Sequence, residues 1–139
     1  MSELYELPNG WKWASLGTIS NLIGGGTPQR NVAEYWDGGD IVWLSPTDLG
    51  PIGEISVVSE SKDRITKLGL AESSAKLMPI GTVLYSSRAT IGKIAINSIE
   101  VATNQGFCSF VCKDDLYNRY LAYRLIRFRA DITDLSNSA

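Results

Sequence analysis

Apolar residues come in short bursts along most of this chain, with a spacing nearer two than three or four. Ile41 to Leu44, inside "GGDIVWLSPTDLG", is an apolar run closed by Ser-Pro and predicts a short strand. "GEISVVSES" predicts another. "GTVLYSSR", "GKIAIN", "IEVATN" and "GFCSFVCK" are closely spaced β-type runs separated by Gly and Asn. Between the early runs, "GGGTPQRNVAEYW" reads as loop, with its glycines followed by Thr-Pro. Near the start, Trp11, Trp13, Leu16 and Ile19 fit neither period, and predict a short strand followed by a helical turn or a second strand. "DRITKLGLAESSAKLM" predicts a short helix broken near Gly69 and then an exposed turn.

Only the end of the chain is clearly helical. In "DDLYNRYLAYRLIRFRAD", Asp114 or Asp115 can cap the start and favour the positive pole of the helix. Tyr117, Tyr120, Leu121, Leu125 and Phe128 then form an apolar stripe. Arg119 lies opposite, and Arg124 falls within the stripe, its stem covering apolar surface. The polar "ITDLSNSA" follows.

The 139 residues suit a single domain able to bury a core. At 44% hydrophobic and 20% charged, the composition is that of a soluble globular protein. No apolar run approaches the roughly 20 residues of a membrane helix, and "MSELYELPNGW" has no signal-peptide core. A cytoplasmic location and no membrane partner are expected. The formal net charge of -2 argues against a non-specific electrostatic binder of nucleic acid. It leaves room for a specific one, because positive charge is segregated. Lys62, Arg64 and Lys67 cluster in "SKDRITK", and Arg119, Arg124, Arg127 and Arg129 in the last helix.

The chain has no histidine, which removes Ser-His-Asp triads, Cys-His pairs and imidazole metal sites. Cys108 and Cys112 sit in an alternating run and point to one face, with Phe110 between them. Along an extended strand they stand too far apart for a disulfide, and two thiolates do not complete a zinc site. Both read as buried, reduced thiols. Neither a cofactor nor a metal is expected.

Three motifs fail on inspection. "SSRATIGKIAI" ends like a phosphate loop, but Ser87 stands where the first Gly is required and Ile94 follows Lys93. "GGGTPQ" has Gln29 where a dinucleotide fingerprint needs its third Gly. Asp48, Glu60 and Lys62 have the makings of a magnesium nuclease. That pattern is short, however; Asp48 reads better as a turn cap and Glu60 as a solvated loop residue. An adenine methyltransferase would need an Asn/Asp-Pro-Pro-aromatic pocket and a glycine-rich cofactor loop, which the sequence lacks.

Taken in order, "LPNGWKWASLGTI", "GGGTPQRNVAEYWDGGDIVWLSPTDL", "SSAKLMPIGTVLYSSRATIGKIAI" and "ATNQGF" resemble the target recognition domain of type I restriction-modification specificity subunits. The resemblance runs from Leu7 to about Leu125. It implies an α+β fold, with a curled, β-helix-like mixed sheet region followed by helices. Residues 1–139 would then be a single target recognition domain, with 115–130 as its C-terminal helix. It further implies a non-enzymatic chain that reads one half of a bipartite target in double-stranded DNA. Such a chain positions DNA methyltransferase (modification) subunits and, indirectly, the restriction subunit. Because the family's following helix is not reached, the chain reads as a fragment or a half-subunit, and a half-subunit would pair as a homodimer.

Within that resemblance, "SSRATIGK" is a scaffold element shared across the family. It is therefore better suited to gripping phosphate than to reading a variable sequence. Ser86, Ser87, Thr90 and backbone amides are the expected donors to phosphate, with Arg88 and Lys93 supplying charge. Alternatively, Arg88 and Gln105 tie loops together through backbone carbonyls. Base reading is expected where the match to the family is weakest. Gln29, Arg30, Lys62, Arg64 and Lys67 carry the side chains suited to adenine or guanine edges; solvated surface charge is the plain alternative for each. The arginines of the last helix are assigned to packing on the subunit or on the methyltransferase. A nuclease built on Asp48, Glu60 and Lys62, and a β-rich interaction domain without DNA affinity, remain the competing readings.

Overall fold

The protein, represented by a computed structural model, is described for residues 20–88, 90–113 and 118–127. Among the described residues, eight short strands form two open sheets. The larger sheet takes β1 (Ser20–Gly24), β3 (Ile55–Val58), β5 (Val83–Ser86), β6 (Ile94–Asn97) and β8 (Phe107–Cys112), in the order β1-β8-β5-β6-β3. The smaller has β2 (Ile41–Leu44), β4 (Asp63–Ile65) and β7 (Ala102–Thr103), in the order β4-β2-β7. Most pairings are antiparallel, but β3–β6 and β2–β7 run parallel. Helix α1 is Lys67–Ala71 and helix α2 is Asn118–Arg127.

Strand alternation divides the apolar residues among three layers. Leu84 and Ala95 point from the larger sheet to Val42 and Leu44 of the smaller one, and Met78, Val101 and Phe107 complete this central layer. Val83, Tyr85, Ile94, Ile96 and Phe110 point the other way, onto Leu121, Ala122 and Leu125 of α2. Trp43 and Ile65 face outward from the smaller sheet and pack with Ala75, Ala102, Trp36 and Leu70. Because β2, β5 and β6 are covered on both faces, their sequences are near-continuous apolar runs rather than strict alternations.

The expected strands at Ile41–Leu44, in "GEISVVSES" and in the four late runs are all found. The expected curled, β-helix-like region is not. Its strands form two separate open sheets facing one another, so the fold is α+β in two sheets with helices outside. Gly69 does not break a helix either. It is buried within α1, where a Cβ would lie 2.7 Å from the Tyr35 carbonyl oxygen; glycine is what lets the helix approach that backbone. Thr66 caps α1, accepting from the Gly69 amide at 3.0 Å and donating to the Glu34 carbonyl at 2.7 Å.

In α2 the buried residues are Leu121, Ala122 and Leu125, whereas Tyr120, expected in the stripe, is 50% exposed. Cys108, Phe110 and Cys112 share the face toward α2, and both cysteines are free thiols. Burial pushes both thiol pKa values up. Expectations for Trp11, Trp13, Leu16, Ile19, Asp114, Asp115, Tyr117, Phe128 and Arg129 lie outside the described residues. No helix among the described residues is long and apolar enough to cross a membrane.

Candidate nucleic-acid interface

The strand registers gather several loops at one end of the molecule. Gly24 ends β1 opposite Cys108, Ser86 ends β5 opposite Phe107, and Tyr85 pairs with Ile94 at the start of β6. β2 and β7 run parallel and finish side by side at Leu44 and Thr103, while Asp63 opens β4 opposite Trp43. Residues 24–30, 45–48, 87–88, 90–93 and 104–106 therefore emerge together, with residues 61–63 beside them.

Two tryptophans pin the first of these loops. Trp43 Nε1 donates to the Gly26 carbonyl at 3.0 Å, and Trp36 Nε1 to the Gln29 carbonyl at 3.1 Å. The two indoles meet edge to face, with centroids 5.2 Å apart. The Arg30 guanidinium lies 4.1 Å from the Trp36 ring centroid and 5.0 Å from that of Trp43. Its Nη1 donates to Asp63 Oδ2 at 3.3 Å. On its other side the loop packs so closely against residues 103–104 that a Cβ on Gly25 would fall 1.9 Å from the Asn104 carbonyl oxygen. The Thr27 hydroxyl donates to Gln105 Oε1, and the Asn104 side chain accepts from the Gly106 amide at 2.8 Å.

The "SSRATIGK" turn is locked from inside. Ser86 is 0% exposed; its hydroxyl accepts from the Lys93 amide at 2.8 Å and donates to the Thr90 carbonyl. Gly92 takes a φ of 105°, a backbone conformation that glycine allows, and this bends the turn. Ser87 N donates to the Gly106 carbonyl at 2.9 Å, and Lys93 Nζ to the Pro46 carbonyl at 3.2 Å. These bonds knit three loops into one surface. Ser86, expected to meet phosphate, is thereby spent on the turn itself. Ser87 and Lys93 are half-buried, and Arg88, Thr90 and Gln105 are exposed.

Asp48 performs the same service for a neighbouring pair of loops. Its Oδ2 accepts from the Ser45 amide at 2.8 Å and its Oδ1 from the Lys62 amide at 3.0 Å. Glu60 is exposed. Among the described residues no group of three or more His, Cys, Asp or Glu is placed to hold a metal ion. The nuclease constellation does not assemble, because its central carboxylate is a loop tie.

The remaining expected residues divide. Gln29, Arg30, Lys62, Ser87, Arg88, Thr90, Lys93 and Gln105 belong to the clustered loops. Arg64 is exposed on β4, an edge strand, facing away from Asp63. Lys67 opens α1, beyond the far end of β4, and stands apart from the cluster. Of the last-helix arginines, Arg119 and Arg127 are exposed and Arg124 is half-buried. The sequence reading missed Trp36, Trp43, Asp63 and Thr27. "GGTPQR" followed by two tryptophans, six and thirteen residues after the arginine, was the available signal.

Known proteins resemble this chain in sequence and in fold. The profile of the type I restriction modification DNA specificity domain family matches residues 8–139. The chain is 37% identical over 122 residues to the type I restriction enzyme MjaIX specificity subunit of Methanocaldococcus jannaschii, covering 88% of this chain and 28% of that protein. It is 32% identical over 122 residues to the EcoR124I/EcoR124II specificity subunit of Escherichia coli, covering 85% and 29%. The chain thus spans less than a third of the length of these relatives. The crystal structure of the HsdS subunit from Thermoanaerobacter tengcongensis shows the same fold, with a TM-score of 0.69 at 24% identity over 92% of this chain and 30% of that one. A match covering nearly the whole chain, on the segments that build the clustered loops, makes this chain a member of the type I restriction modification DNA specificity domain family.

Proposed function

We propose that this chain is a sequence-specific DNA recognition module of a type I restriction-modification complex, and that the clustered loops are its DNA face. One observation carries the reading: loops from both sheets meet at one end and are held by bonds made among themselves. Their remaining side chains, Gln29, Arg30, Lys62, Arg88, Thr90 and Gln105, keep hydrogen-bonding groups for a partner. Rigid loops bearing mixed cationic and amide groups suit duplex DNA, where cations and hydroxyls position and amides and guanidinium groups specify.

Arg88, Thr90, Ser87 and Lys93 take the phosphate role in this reading. Gln29, Arg30, Lys62 and Arg64 take base edges, and Lys67 is solvated charge. The chain carries no catalysis. It works in the cytoplasm, reads one half of a bipartite target, and depends on methyltransferase subunits, and through them a restriction subunit, for action. A second copy supplies the other half-site if the chain is a half-subunit. Its negative net charge makes binding by the chain alone weak, and tethering to the other half-site restores affinity through effective concentration. Selection from random duplexes by the chain assembled with its methyltransferase subunits is the test. Recovery of a fixed half-site supports the proposal. Failure to enrich any sequence leaves an interaction domain without DNA affinity.

A further inference from the structure

We propose, resting on the reading above, that Arg30 recognises a guanine and that Asp63 keeps it from serving as a phosphate clamp. Three contacts fix the guanidinium: the faces of Trp36 and Trp43 at 4.1 and 5.0 Å, and Asp63 Oδ2 at 3.3 Å from Nη1. The Arg30 side chain nevertheless stays 59% exposed. Only one of its three nitrogens is spent on the carboxylate, and a guanidinium carries five N–H donors. These contacts restrict its rotamers, so less freedom is lost when it binds than a flexible side chain would lose.

The carboxylate decides what it binds. An incoming phosphate would gain an arginine already neutralised and would meet a second anion, Asp63, itself 39% exposed. A neutral acceptor incurs no such repulsion. Guanine O6 and N7 are a pair of neutral acceptors spaced for an arginine fork, the commonest specific contact in the major groove. Arg88, exposed on an adjoining loop, is the group suited to phosphate. Arg30 and Asp63 thus form a pair in which affinity is given up for discrimination.

The test uses the chain assembled with its methyltransferase subunits and the duplex selected above. Selection and salt titration are repeated with Arg30→Gln, Arg30→Lys and Asp63→Asn. Arg30→Gln should lose preference for guanine at one position, by roughly ten- to a hundredfold, as expected of a lost bidentate contact. Its salt slope should not change. Arg30→Lys, which keeps the charge without the fork, should lose the same preference. Asp63→Asn should tighten binding to unrelated duplexes and steepen the slope by about 0.9, one added phosphate contact. Equal weakening on every duplex by Arg30→Gln, with the slope lowered by about 0.9 and rescue by lysine, would overturn the proposal while leaving DNA recognition intact. Unchanged base preference in both Arg30 variants, or an unchanged slope in Asp63→Asn, would overturn it too. A wild-type complex that enriches no sequence would instead defeat the functional reading.

Discussion

Loop 24–30 and turn 86–93 reach the same end of the molecule and are held there by opposite means. The first is clamped from outside: two indole N–H groups from beyond the loop take its carbonyls, and Arg30 is spread over the same rings. The second is locked from within by one buried hydroxyl, that of Ser86, which bonds to both Thr90 and Lys93. The indoles take backbone carbonyls and so hold the loop without using the Gln29 side chain, whereas Gly25 is fixed by its approach to the Asn104 backbone. The self-locked turn spends the Ser86 side chain on itself, while Arg88 and Thr90 stay exposed at its tip. In the proposed reading, this contrast sets a base-reading loop beside a phosphate-gripping turn.

The comparison breaks most severely at Trp43. It is 2% exposed and anchors both the outer core and the Gly26 carbonyl, so Trp43→Ala should cost about 3–5 kcal/mol in denaturant unfolding. Gly25→Ala comes next. The new Cβ would overlap the Asn104 carbonyl, and the loop must shift at a cost of about 1–3 kcal/mol. Ser86→Ala removes the internal lock and leaves the Lys93 amide without its acceptor. About 1–2 kcal/mol of stability should be lost, with turn 86–93 exchanging its amides faster. Arg88→Ala should leave stability within about 0.5 kcal/mol. In the proposed reading it weakens binding to all duplexes alike and lowers the salt slope by about 0.9. Equal stability loss in Arg88→Ala and Ser86→Ala would erase the distinction between tip and lock.

The thiols give a separate check on the α2 layer. Burial raises the pKa of Cys108 and Cys112 above the ordinary 9.0, so the folded chain holds its protons longer than the unfolded chain. Stability should be level below the ordinary thiol pKa and fall as pH climbs through it, because the unfolded state ionises first. Alkylation at pH 8 should be slower than that of a free thiol. Rapid alkylation of the folded protein would mean that α2 does not cover this face.

The strands were readable in the sequence wherever an apolar run was closed by Gly, Asn or Pro, as at Ile41–Leu44 and Ile94–Asn97. Strand β4 was not, because Asp63–Ile65 is an edge strand with a single apolar residue, and its partner lies well back in the sequence, Trp43 pairing with Asp63 and Ile41 with Ile65. Gly69 misled because its use is tertiary: it admits the Tyr35 backbone, which local propensity cannot show. The two-sheet arrangement was hidden in the parallel pairings β2–β7 and β3–β6, which join segments far apart in sequence. Site residues were legible by type and not by role. Ser86 and Thr90 look alike in "SSRAT", yet one is buried in the turn and the other lies on its surface.

Amide hydrogen exchange, measured on the chain assembled with the proposed methyltransferase subunits before and after adding the selected duplex, examines the proposed DNA face directly. Protection should rise in residues 24–30, 86–93 and 104–106, with little change at Lys67 or along the outer side of α2. Protection confined to α2, with those three loops exchanging as before, would place the DNA on another surface and contradict the assignment.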